Sequence, residues 1–162
     1  MNKTLDQQGL MKLLLFTPVL ILLALVRTFG YAACVPLFNP HEGAFTTATR
    51  EMIETGNWIS TYMNGIPRHD QPILIYWLQA LSVSGFGLNT FSLRLPSCLA
   101  ALAWIWISYR FVKQQRDDTE ARLMVWLLTA LPLASIIFKA AIADALLNFL
   151  FFATFFLIFC FF

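Results

Sequence analysis

Charge is what this chain has least of. Asp, Glu, Lys and Arg make up 12% of its 162 residues, about half of the roughly 25% usual in soluble domains. The 11 Lys and Arg against 9 Asp and Glu leave a formal charge of only +2. That balance is too small and too dispersed for the basic footprint of a nucleic-acid binder, so no nucleic acid is expected as a partner. Cysteine is nearly as scarce. Cys34, Cys98 and Cys160 each sit in or beside an apolar run, with no CxxC spacing and no His at metal-ligand intervals, and they read as small core residues. Seven glycines and seven prolines are the only punctuation in long apolar segments.

What fills the chain is hydrocarbon. Hydrophobic residues account for 59% and the mean hydropathy is +0.68, which identifies an integral membrane protein. Lys3 and Lys12 ahead of Leu13 to Val26 imitate a signal peptide, and Ala32-Ala33-Cys34 imitates a lipoprotein cleavage site. Tyr31, however, stands where such a site prefers a branched aliphatic, and the apolar run continues past the cut as Val35-Pro-Leu-Phe. A retained anchor is the better reading.

A helix crossing about 30 Å of hydrocarbon needs roughly 20 mostly apolar residues. Four stretches qualify or nearly do: Leu13 to Phe38, Phe91 to Val112, Leu123 to Ala143 and Ala145 to Phe162. The expectation is an all-α polytopic protein with about four transmembrane helices. Residues 39–90 form its first loop, and residues 1–162 together make one membrane portion. Lys3, Lys12, Arg110, Lys113, Arg116 and Arg122 cluster on one side, whereas Arg50, Arg68 and Lys139 on the other are sparser. The basic side marks the cytoplasm and places the N-terminus there. The loop over 39–90 and the Lys139 to Asp144 turn then share the extracytoplasmic face.

That first loop collects the polar chemistry. Asn39-Pro-His-Glu writes a helix start with Asn at the N-cap, Pro at N1 and Glu at N3. Phe45, Ala48, Met52 and Ile53 form one apolar stripe, Arg50, Glu51 and Glu54 lie elsewhere, and Gly56 is the stop; such a helix belongs in the membrane interface. Its N-terminus, at His41 and Glu42, can receive an anionic group such as a phosphate, or Glu42 can simply cap its own helix. Further on, Arg68-His-Asp-Gln-Pro precedes an apolar segment from Ile73 to Phe86, too short to span and suited to a second interfacial helix with Tyr76 and Trp77 at headgroup level. Asp70 is either the cap of that helix or a functional acid. Asp144, at the mouth of the fourth span, is likewise either an N-cap with Lys139 snorkelling nearby or a functional acid at the edge of hydrocarbon.

Several ordered blocks resemble one family. They are His41-Glu-Gly-Ala-Phe with Thr49-Arg-Glu-Met, Asn64-Gly through Tyr76-Trp77, Arg94-Leu-Pro-Ser, and Ala143-Asp-Ala-Leu-Leu. From about Pro36 to Phe156 the chain is similar to the lipid-phosphate-dependent membrane glycosyltransferases of the GT-C type, which include protein O-mannosyltransferases and bacterial aminoarabinose transferases. The resemblance implies a polyprenyl-phosphate-linked sugar as donor, membrane lipid around the site and an extracytoplasmic active site. It also implies an inverting displacement and, for a bacterial chain, the inner membrane. It implies catalytic roles for Glu42, Asp144 and His41, the last standing where the family has an aspartate. Substrate-binding roles fall to Arg50, Arg68, Asp70, Gln71, Tyr76 and Lys139, with Gln71 where a Lys is common. Asp70 matches a position that contributes to a divalent metal site in some members; no other cofactor is implied.

Family members continue through many more spans, so this chain reads as the N-terminal part of such an enzyme. The alternative is a truncated or inactive relative serving as a membrane interaction subunit. A small transporter explains the charges in the spans but not the long amphipathic loop. Topology is open to direct measurement: a single cysteine at Asn57 is expected to react with an impermeant thiol reagent in intact cells. Reaction only after permeabilisation would invert the orientation.

Overall fold

A computed structural model describes residues 17–30, 32, 40–68 and 71–161. Seven helices and one short hairpin make up this part: α1 (Thr17–Phe29), α2 (Pro40–Thr55), β1 (Thr61–Met63), β2 (Ile66–Arg68), α3 (Leu74–Phe86), α4 (Thr90–Gln115), α5 (Asp118–Ala130), α6 (Pro132–Lys139) and α7 (Asp144–Phe161). The fold is the expected polytopic, essentially all-helical one. Helices α4 and α7 are each long and apolar enough to cross a membrane, and α5 with α6 makes a third, bent candidate. Helix α1 shows 13 described residues, about 20 Å at helical rise, and the residues before it lie outside the described part.

Helix α4 is the axis, packed against α1, α3, α5, α6 and α7. Its start is fixed by a reciprocal capping box: Asn89 accepts from the Ser92 backbone N–H at 2.9 Å, while the Asn89 N–H donates to Ser92 Oγ at 3.2 Å. Two orphan donors at a helix end are thereby satisfied. At the other end, Phe111 meets Phe152, Phe155, Phe156 and Phe159 of α7 at centroid distances of 5.4–6.1 Å. A larger cluster joins Leu20 and Ala24 of α1 to Ala101, Ile105, Val125, Phe138 and Ala145.

The expected single span from Leu123 to Ala143 is not a continuous helix. It breaks at Leu131, and α5 and α6 are bent by 69°. Pro132 is the cause: it has no N–H for the Leu128 carbonyl, and it pushes Leu131 into an extended conformation, φ −64° and ψ 123°. Two of the carbonyls beside this break are paired by a side chain. Arg27, from α1, donates to Thr129 O at 3.1 Å and to Ala130 O at 3.4 Å, so the charge inside the first apolar run serves the broken helix beside it.

The loop between α2 and α3 also differs from a purely helical expectation. Residues 61–68 fold back on themselves with Met63 opposite Ile66, leaving Asn64-Gly65 as a two-residue turn. Both carry positive φ, 54° and 77°, as a type I′ turn requires. The Glu51 carboxylate accepts the Asn64 N–H at 2.6 Å and the Gly65 N–H at 3.3 Å, fastening the turn to α2. A Cβ at Gly65 would meet nothing within 4 Å, so Gly65→Ala should cost only the backbone term, about 1 kcal/mol. Faster protease nicking between Tyr62 and Arg68, with the helices unchanged, is the expected result.

Candidate functional site

Helix α2 does begin at Pro40, as its capping residues demand; Asn39 itself lies outside the described residues. Most of its apolar stripe is buried against protein. Phe45, Ala48 and Met52 form a cluster with Ile75 and Tyr76 of α3 and Ala143, whereas Ile53 is left exposed. The Phe45 and Tyr76 rings stack at 5.3 Å with 20° between their planes, and the Arg68 guanidinium stands 5.7 Å over the Phe45 ring. Helix α3 starts at Leu74 with Ile73 at the N-cap position and no side-chain cap, so Pro72 precedes the helix, and Asp70, outside the described residues, is not at its N-cap position.

The centre of the arrangement is Glu42. Its carboxylate is completely buried and faces Arg94 of α4, also completely buried. Arg94 donates from Nε to one oxygen and from Nη2 to the other, both at 3.0 Å, the two-pronged geometry that makes such a pair strong. Arg94 Nη1 reaches Ala32 O at 3.1 Å, and the Ala141 N–H donates to the Glu42 carboxylate at 2.6 Å. One ion pair therefore ties together the end of α1, the start of α2, α4 and the segment joining α6 to α7. Desolvating two charges is costly, and only such full pairing offsets it.

Ala140 to Ala143, between α6 and α7, has no regular secondary structure, yet its backbone is held. Besides the Ala141 N–H on Glu42, the Ala141 carbonyl accepts from Gln79 Nε2 at 3.2 Å and the Ile142 carbonyl accepts from Ser97 Oγ at 3.0 Å. Asp144 follows at once as the first residue of α7, exposed, with no ion pair among the described residues. Lys139, just before the segment, is half-buried and donates to Gly30 O at 3.4 Å.

Of the sequence-predicted site residues, Glu42, Tyr76, Lys139 and Asp144 gather at one end of the bundle, with Arg68 joined to them through Phe45. Gln71 is half-buried just ahead of α3. Arg50 is apart, on the exposed side of α2 in an i,i+4 pair with Glu54 at 3.6 Å. His41 belongs to the first turn of α2, but its side chain lies outside what is described, as does all of Asp70, the expected metal ligand. Among the described residues no three His, Cys, Asp or Glu groups converge as a metal site would need.

Sequence reasoning named Arg94 and Ser97 only within a block that carries the resemblance, gave neither a role, and did not name Gln79. The signal for Arg94 was present: an arginine a few residues inside an apolar span needs a buried partner. Replacing it with methionine strands Glu42, and a loss of about 3–5 kcal/mol is expected, with a smaller loss in the Glu42→Met/Arg94→Met double variant. Thermal unfolding of the detergent-solubilised proteins measures both.

The comparisons with known proteins bear on the family and the fold. Residues 70–161 match the family described as dolichyl-phosphate-mannose-protein mannosyltransferase. The undecaprenyl phosphate-alpha-4-amino-4-deoxy-L-arabinose arabinosyl transferase of Shewanella sediminis is 30% identical over 112 residues, 69% of this chain and 20% of that protein. Its namesake from an Enterobacter species is 34% identical over 89 residues, 52% of this chain and 16% of the relative. The crystal structure of apo ArnT from Cupriavidus metallidurans shares the fold, with a TM-score of 0.73 at 24% identity over 80% of this chain and 24% of its own. The chain thus spans about a fifth of the length of such relatives.

Proposed function

This chain belongs to the dolichyl-phosphate-mannose-protein mannosyltransferase family, and on that footing we propose that it forms the N-terminal membrane part of a glycosyltransferase. The enzyme moves a sugar from a polyprenyl-phosphate donor to a lipid, glycan or protein acceptor at the extracytoplasmic face. The observation that carries this reading is the 2.6 Å bond from the Ala141 N–H to Glu42, which fixes the first-loop helix and the turn before Asp144 at the same end of the bundle. Named relatives that use undecaprenyl phosphate-linked aminoarabinose support the donor class.

In this reaction the acceptor oxygen forms its bond to the anomeric carbon from the face opposite the phosphate. The carbon–oxygen bond to the phosphate breaks with its electrons, and the acceptor proton passes to a base. Asp144 is the exposed carboxylate available for that proton. His41, in the first turn of α2, is a second base at neutral pH through its imidazole. Both oxygens of Glu42 already hold donors, so its part is to fix the turn that carries His41 and the segment that leads to Asp144. The leaving phosphate gathers negative charge, and Lys139 and Arg68, with the positive N-terminal ends of α2 and α7, stabilise it. Tyr76, completely buried, acts indirectly by backing the Phe45 ring under Arg68, Gln71 lies at the approach to α3, and Arg50 meets lipid or donor headgroups from the outer side of α2.

Transfer of labelled sugar from a polyprenyl-phosphate donor, in membranes carrying the complete protein, is the test. Asp144→Asn should lower transfer by about 10²-fold or more without loss of folding. His41→Asp, which introduces a carboxylate at the same position, should raise it. Transfer unchanged in Asp144→Asn would leave that acid as a helix cap. No transfer in any version would point to a membrane interaction subunit.

A further inference from the structure

Gln79 is a polar side chain at the centre of an apolar helix, fully buried, and the reaction just described has no direct use for it. Its carboxamide nonetheless joins three elements. Oε1 accepts the Thr49 hydroxyl of α2 at 2.7 Å. Nε2 donates once to Leu93 O of α4 and once to Ala141 O, each at 3.2 Å. Two carbonyls on one side and a hydroxyl on the other permit only one orientation of the amide, since the flipped group would set oxygen against oxygen. A carboxamide with all of these partners in apolar surroundings is rigid, because each bond lost would leave a buried polar group unpaired.

The partners divide unequally in importance. Leu93 and Thr49 sit in helices that keep their own backbone bonds. Ala141 does not: it belongs to the irregular segment between α6 and α7, and its carbonyl rests on Gln79 as its N–H rests on Glu42. Three residues later the chain reaches Asp144. We propose that Gln79 is a positioning residue for sugar transfer, setting the place of Asp144 through the Ala141 carbonyl. This rests on the role given above to Asp144 and adds a residue that acts on it without touching substrate. It also separates the setting of the acid from the stability of the scaffold, because removing Gln79 leaves the Arg94–Glu42 pair intact.

Gln79→Met keeps an unbranched side chain of similar length and removes every polar atom. The complete protein in lipid nanodiscs is compared with this variant by hydrogen exchange and by transfer kinetics. The amides of Ala141 to Asp144 are expected to exchange about tenfold or more faster in Gln79→Met, while those of Leu102 to Ile107, in mid α4, stay at the wild-type rate. The kcat should fall by about tenfold or more with the donor KM unchanged, as misplacement of a reacting group produces. In an Asp144→Asn background the same substitution should cost nothing further, since residues acting through one another are not additive. Wild-type exchange at Ala141 to Asp144, acceleration throughout α4, or an equal loss in both backgrounds would each overturn the proposal. If Gln79→Met does not fold, Gln79→Glu decides: it keeps the shape and at most one donor, and an intermediate acceleration confined to the segment is expected, against none if the proposal is wrong. Should the wild-type protein transfer no sugar, the functional reading fails, and the exchange comparison alone then decides whether Gln79 holds the segment.

Discussion

Everything at the polar end of this molecule depends on Arg94 and Glu42 meeting in a place without water. A guanidinium on a membrane-spanning helix has to be paired, and the carboxylate that pairs it comes from 52 residues earlier in the chain. To bring that carboxylate in, α2 has to turn its first residues towards α4, and its Phe45, Ala48 and Met52 then close over α3. The remaining hydrogen-bonding capacity of the pair fixes two further strands of chain, at Ala32 and Ala141. Breaking the pair therefore loosens four segments together.

The same economy governs the other charges in the apolar part. Arg27 covers carbonyls released where Pro132 breaks the α5–α6 helix, and Lys139, at the end of α6, covers the Gly30 carbonyl just past α1. In lipid an unpaired carbonyl costs more than in water, and irregular backbone survives only where protein satisfies it. A cation on a flexible stem is well suited to this, since its head can reach carbonyls that no backbone N–H can approach. The cations of the first and third apolar runs are thus exchanged between neighbouring helices, which ties α1 to α5 and α6.

The segment from Ala140 to Ala143 shows how an irregular stretch can be precise. Glu42, Gln79 and Ser97, from three different helices, each hold one of its peptide groups. Small side chains at Ala140, Ala141 and Ala143 let those helices come close enough to do so, and all three are buried. The acid carried at the end of this segment, Asp144, is exposed while the backbone leading to it is held.

By itself, the sequence determined the membrane class, the start of α2, the bounds of α3 and α7 to within a residue or so, and the polar content of the first loop, because hydropathy, capping residues and apolar period are local properties. It also carried the family, through blocks such as Ala143-Asp-Ala-Leu-Leu, which falls within the residues that match it. The bend at Pro132 and the I′ turn at Asn64-Gly65 were written locally too, though the hydrophobic run and the helical context masked them. What only the tertiary structure decided is the division of labour among the polar groups: Glu42 committed to Arg94, Glu51 to the hairpin turn, Gln79 and Ser97 to the Ala141-Ile142 backbone, and Asp144 left open. No pattern along the chain specifies those pairings. Each is set by which donor and acceptor are shut away from water together, and that depends on how helices distant in sequence pack.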